Sequence, residues 1–168
     1  MTCDDLKLLI DFNYWARDRL IDAMATISTE QFVRPLSSSF GSVRDTVAHI
    51  CAAEHIWIQR LKGQKPDGSP NSNELPDVEA LRTFWTNSEY QMRETIEQLG
   101  PRLVEFQLKY QDLRGHGQSD SLWQVLHHMV NHGTYHRGQI TTMLRQLGGL
   151  PPQSMDLLVF YREFNSRR

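Results

Sequence analysis

Apolar residues return at intervals of three and four along four long stretches of this 168-residue chain, and that rhythm limits the fold more than any other feature. A side chain meets the same face of an α-helix every 3.6 residues, so each such stripe has to be buried against another element. The first stretch runs from Asp4 to Ile27, with Leu6, Ile10, Ala16, Leu20 and Met24 on one face and a capping signal in Thr2 and Asp5. The second, Val43 to Leu61, is capped by Ser42 and Asp45. It is apolar nearly all round, which predicts burial from more than one side. The third, Asp77 to Leu99, carries Leu81, Phe84, Trp85, Met92 and Ile96 and stops at Gly100–Pro101. The fourth, Ser121 to Leu147, ends at Gly148–Gly149, and Pro151–Pro152 opens a last short helix through "QSMDLLVFYREF".

Between these stretches, "GQKPDGSPNSNELPD" reads as a loop of about 15 residues, a length often associated with function or mobility. Alternation of Val104, Phe106, Leu108 and Tyr110, followed by Gly115 and Gly117, predicts a short β-hairpin. The expected fold is all-α: a four-helix bundle in a single domain over 1–168, with a small hairpin before the fourth helix and a short C-terminal helix. Two of the three main links are long, which permits a crossover topology.

Composition narrows the function. Net charge is −2 and no basic block stands out, the Arg167–Arg168 pair being too short to count, so no nucleic-acid partner is expected. The N-terminus "MTCDDLKLLIDF" is acidic where a signal peptide would be basic, and no apolar run approaches the ~18–20 residues that span a bilayer. A soluble, cytoplasmic protein without a membrane partner is the expectation. Cys3 and Cys51 read as free thiols in a reducing compartment.

The chemistry lies in "VNHGTYHRGQI", residues 130 to 140. His132 and His136 fall in the middle of the fourth helix's apolar stripe, between Leu122, Val125 and Met129 on one side and Ile140, Met143 and Leu147 on the other. Their four-residue spacing sets the Cβ atoms roughly 5–6 Å apart, so both imidazoles can reach one ion at ~2.0–2.1 Å. Either the two are neutral, hydrogen-bonded core histidines or they hold a metal. Two charged imidazoles there would repel and lose hydration, whereas a divalent metal requires them neutral. Gly133 lowers helix propensity by ~1 kcal/mol relative to alanine and leaves room for close approach of another helix or a ligand. A third ligand has to come from elsewhere. His49, with small neighbours Ala52 and Ala53, is the leading candidate, although the densest apolar side of its helix faces away from it. His128 extends the ladder but lies toward the edge of the stripe. His127 reads as a packing or hydrogen-bonding residue, and His55 and His116 as surface or loop residues. Glu54 is either paired in the core or placed behind the ligands, and Asn13 on the apolar face of the first helix needs a partner or serves a pocket.

The chain resembles the DinB/YfiT-like superfamily of bacterial proteins regarded as metalloenzymes, through "NYWARDRL", "SSSFGSVRDTVAHICAAEHIW", "SLWQVLHHMVNHGTYHRGQITTMLRQLGG" and "PPQSMDLLVFYRE". The match runs along nearly the whole chain, and "NHGTYHRGQ" is its most specific part. The resemblance implies a four-helix bundle holding a divalent ion on His49, His132 and His136, and a homodimer. It also implies thiol-dependent transfer or isomerisation, or hydrolysis, of small molecules. His128 departs from the pattern, where that place is more often apolar.

A three-histidine metal keeps an open position for water or a thiol. The leading expectation is therefore a divalent-metal-dependent enzyme on a small-molecule substrate, a thiol-dependent S-transferase or hydrolase. Imidazole suits zinc, nickel, iron and copper alike, with zinc or nickel the expected divalent ion, and a low-molecular-weight thiol is a candidate co-substrate. The alternatives are a non-catalytic metal-binding or stress-related bundle protein, and an apo bundle with merely hydrogen-bonded histidines. Asp45 and Gln139 are weak candidates for a general acid or base; Cys51 reads as packing.

Overall fold

A computed structural model describes residues 1–112 and 114–166; the Arg167–Arg168 pair lies outside them. Among the described residues six α-helices occur in the order α1 (Cys3–Met24), α2 (Thr29–Val33), α3 (Val43–Leu61), α4 (Val78–Leu99), α5 (Leu122–Gln146) and α6 (Leu157–Asn165). Two antiparallel strands, β1 (Gln107–Gln111) and β2 (Gly117–Ser121), form the expected hairpin. The α1 capping box is present, with Asp5 N–H donating to Thr2 Oγ1 at 3.1 Å and Thr2 N–H to Asp5 Oδ2 at 2.7 Å.

Three boundaries differ from the sequence reading. α1 ends at Met24, three residues before the expected Ile27, and a second capping box between Ser28 and Gln31 starts the five-residue α2, which is too short to show a period. The loop after α3 contains a 3₁₀ turn over Ser72–Glu74, capped by Asn71. α6 begins only at Leu157, after its N-cap Asp156.

The four long helices form a ring in which α5 packs on both α1 and α3, and α4 closes the other side between α3 and α1. α1 and α3 therefore sit across a diagonal, as do α4 and α5, which is a crossover arrangement rather than one of sequential neighbours. The all-round apolar character of α3 is met within the chain, by α2, α4, α5 and β1, although Ala52, Ala53 and Ile56 stay half-buried.

Glu54, Asn13 and Arg17 are paired inside the ring. Glu54, 2% exposed, accepts from Tyr14 Oη (2.6 Å), Trp85 Nε1 (3.2 Å) and Asn13 Nδ2 (3.3 Å). Both Asn13 and Glu54 thus have core partners. Arg17, 4% exposed, ties α1 to α4 by donating to Glu89 (2.6 Å) and the Trp85 carbonyl (3.2 Å). Arg93 adds a bond to Asp11 at 2.6 Å.

Two glycines give opposite predictions. A Cβ on Gly149 would lie 2.5 Å from Ile27 Cγ2 and 3.3 Å from the Leu144 carbonyl, whereas one on Gly138 of α5 would meet nothing within 4 Å. Gly149→Ala should destabilise by ~1–3 kcal/mol through overpacking, and Gly138→Ala should stabilise by ~0.5–1 kcal/mol through helix propensity. Urea unfolding of both variants measures the two signs.

Candidate metal centre

The site forms where α3 crosses α5. Ser42 caps α3, with Asp45 N–H donating to its Oγ at 3.0 Å, and His49 follows on the next turn, facing α5. On α5, His132 and His136 stand one turn apart on the face that meets α3. His49 Nε2 lies 2.9 Å from His132 Nε2, and His136 Nε2 lies 3.1 Å from the same atom. One ligating atom from each ring lies within 4.8 Å of the other two. His136 is buried; His49 and His132 are half-buried. His128 remains apart: it is exposed, and its ring centroid is 6.0 Å from that of His132.

Two neighbours hold the rings. Gln139 Oε1 is 2.7 Å from His136 Nδ1. A carboxamide oxygen only accepts, so this contact assigns the His136 proton to Nδ1 and leaves its Nε2 lone pair directed at the cluster. Phe40 stacks on His49 at 4.2 Å between centroids and meets His136 edge-on at 5.3 Å. Phe40 comes from the irregular run before α3, where no periodicity marks it, and the sequence reading missed it. Gln139 thus holds the His136 ring, and Asp45 is engaged at the α3 cap, accepting from Ser42 Oγ at 2.7 Å and from Arg44 at 3.3 Å.

The donor set fits a divalent cation. Nitrogens bound at ~2.0–2.1 Å with angles between ~90° and tetrahedral lie ~2.9–3.4 Å apart, which matches the two spacings to His132, while the His49–His136 pair lies within 4.8 Å. Without a cation, His132 Nε2 faces two other Nε2 atoms and can donate to only one of them. Burial, with the neighbouring imidazoles second, holds His49 below its ordinary 6.5 and takes His132 down to about 4. Both are thus neutral at physiological pH, the form a metal needs.

A cleft of about 360 Å³ opens on the His128 side, lined by Trp57, Tyr110, Asp120, Gln124, Val125 and His128. Trp57 and Tyr110 meet nearly at right angles, and Tyr110 Oη donates to Asp120 at 2.8 Å. Neither this cleft nor a roomier one of about 730 Å³ between α1 and α4 is lined by any of the three histidines. Of the remaining histidines, His127 Nδ1 bonds the Trp123 carbonyl at 2.8 Å and His116 is exposed. His55 corrects the sequence reading: it is half-buried, its ring against Phe84 and its Nε2 3.7 Å from Asp67.

Fold and site together define a helical bundle with a three-imidazole centre between two of its helices. The family model described as "DinB family" matches residues 2–164, and the chain belongs to that family. It is 27% identical over 150 residues to Protein DinB of Bacillus subtilis (strain 168), covering 83% of this chain and 84% of that protein. Its fold is similar to the crystal structure of a DinB-like protein from Bacillus cereus ATCC 10987, with a TM-score of 0.64 and 16% identity, covering 84% of this chain and 91% of that one.

The lowered histidines set a pH dependence. Between about pH 6.5 and pH 4 the unfolded chain binds protons at His132 that the folded, metal-free protein does not. That contribution to stability is complete above pH 6.5 and is lost as pH falls toward 4. Urea unfolding of metal-free protein should show midpoints falling through this window, and His132→Asn should flatten the slope.

Proposed function

We propose that this protein is a divalent-metal-dependent enzyme acting on a small molecule, of the thiol-dependent transferase or hydrolase type, with the metal on His49, His132 and His136. The convergence of three Nε2 atoms, at 2.9 and 3.1 Å, carries this reading. Three imidazoles leave a coordination position open, and a cation there supplies Lewis acidity, lowering the pKa of a water or thiol. The chain does the rest. Gln139 fixes the tautomer of His136, Phe40 covers the His49 ring, and burial keeps His49 and His132 neutral. The cleft beside His128 offers the substrate aromatic walls, the Asp120 carboxylate and the Gln124 carboxamide. Zinc and nickel both suit an all-imidazole set.

Elemental analysis of untagged protein should find about one divalent metal per chain, and the His132→Ala/His136→Ala double variant should lose it. Equal metal in the two proteins would remove the site. Gln139→Ala should weaken metal binding ~10–100-fold with the fold intact, as measured against a chelating dye. The metallated protein, screened with low-molecular-weight thiols against electrophiles and with hydrolysable esters and amides, should turn one class over. Tight metal binding without turnover across both panels would make it a metal-binding bundle only.

A further inference from the structure

The hydrogen bonds of Asn13 run to Glu54 and Arg137, and they join the two helices that carry the three histidines. Its Nδ2 donates to Glu54 Oε2 at 3.3 Å, five residues along α3 from His49. Its Oδ1 accepts from Arg137 Nη1 at 3.1 Å, and Arg137 directly follows His136 on α5. All three side chains are buried, at 2% exposure for Asn13, 2% for Glu54 and 1% for Arg137. A carboxamide is the group this position requires, with a donor end for the carboxylate and an acceptor end for the guanidinium. An aspartate would set two carboxylates against each other, and a leucine would leave both charges without their bridge.

We propose that Asn13 is a positioning residue for the metal centre: by bridging Glu54 of α3 and Arg137 of α5, it sets the rotation of the two helices that bring His49 to His132 and His136. The lever is short and sensitive. A helix rotation of ~20° moves an atom at a side-chain radius of ~5–6 Å by ~2 Å. A ligand set tolerates displacements of only ~0.5 Å. The packing around the bridge leaves little slack. A Cβ on Gly133, which lies between the two histidines of α5, would be 3.0 Å from Arg137 Nη1 and 3.5 Å from Asn13 Oδ1. Arg137 Nη2 also donates to Thr134 Oγ1 at 2.7 Å, so the guanidinium is held at both ends.

The test compares Asn13→Asp, Glu54→Gln and the double variant, in two readouts well below the melting temperature. The first is the set of NMR ring-proton contacts between His49 and His132 in metal-free protein; the second is zinc affinity by dye competition. The affinity arm rests on the proposed metal site, whereas the ring-contact arm does not. Each single variant should lose the inter-ring contacts and bind zinc ~10–100-fold more weakly. The double variant returns the negative charge to the bridge. The carboxylate introduced on α1 then accepts both from Arg137 and from the carboxamide introduced on α3, and much of both readouts should recover. Should the single variants fail to fold, Arg137→Lys keeps the charge without the fork and should show the same two losses. Folded variants with wild-type ring contacts would overturn the inference, as would loss of thermal stability alone. Wild-type protein that shows the ring contacts but binds no zinc would overturn the proposed metal function and leave the positioning role to the first readout.

Discussion

The bundle is organised around one buried carboxylate. Removing Glu54 from water is costly unless its oxygens are hydrogen-bonded and a cation is near. The three other long helices each answer that requirement. α1 supplies Tyr14 and Asn13, α4 supplies the Trp85 indole, and α5 supplies Arg137 through Asn13. Burial still raises the Glu54 carboxyl above its ordinary value and takes Arg137 down to about 10, so the network carries electrostatic tension as well as connectivity. Hydrophobic stripes can slide or rotate against one another at small expense; a polar core with one set of partners per group cannot. This is how a bundle built from apolar faces acquires a single angular setting.

The histidine cluster depends on that setting. His49 shares α3 with Glu54, and His132 and His136 share α5 with Arg137, so the charged core and the imidazole cluster are two layers carried by the same pair of helices. The layers differ in what they lack. Around Glu54 the described donors and acceptors are matched. At the cluster, three Nε2 atoms face one another with too few protons to pair them, beside a cleft with polar groups. Chemistry is expected in the second layer and stability in the first.

Much of the fold was legible because long amphipathic helices announce themselves by period alone. Leu81, Trp85, Met92 and Ile96 leave little choice for α4, and the Thr2–Asp5 and Ser42–Asp45 pairs marked two helix starts to within a residue. α2 escaped because it begins after the apolar stripe that ends at Ile27, and five residues with only Phe32 and Val33 apolar are too few to show a period; the Ser28–Gln31 cap alone marks it. His55 was misjudged because exposure at the edge of a stripe depends on what packs there, here Phe84 of α4. Phe40 had no periodic neighbours to place it.

The sequence by itself determined that α5 would present two imidazoles, one turn apart, from an apolar face, because helix geometry relates residues four apart whatever surrounds them. It also determined an all-helical architecture, since stripes of this length can be covered only by one another. Only the tertiary structure decided which histidine joins the pair on α5, that Gln139 holds the His136 ring while Asp45 is tied to the Ser42 cap, and that Asn13 spans two charges. These are relations between separate helices. Their distances follow from crossing angle and rotation, which are fixed by the whole packed core and by no local pattern.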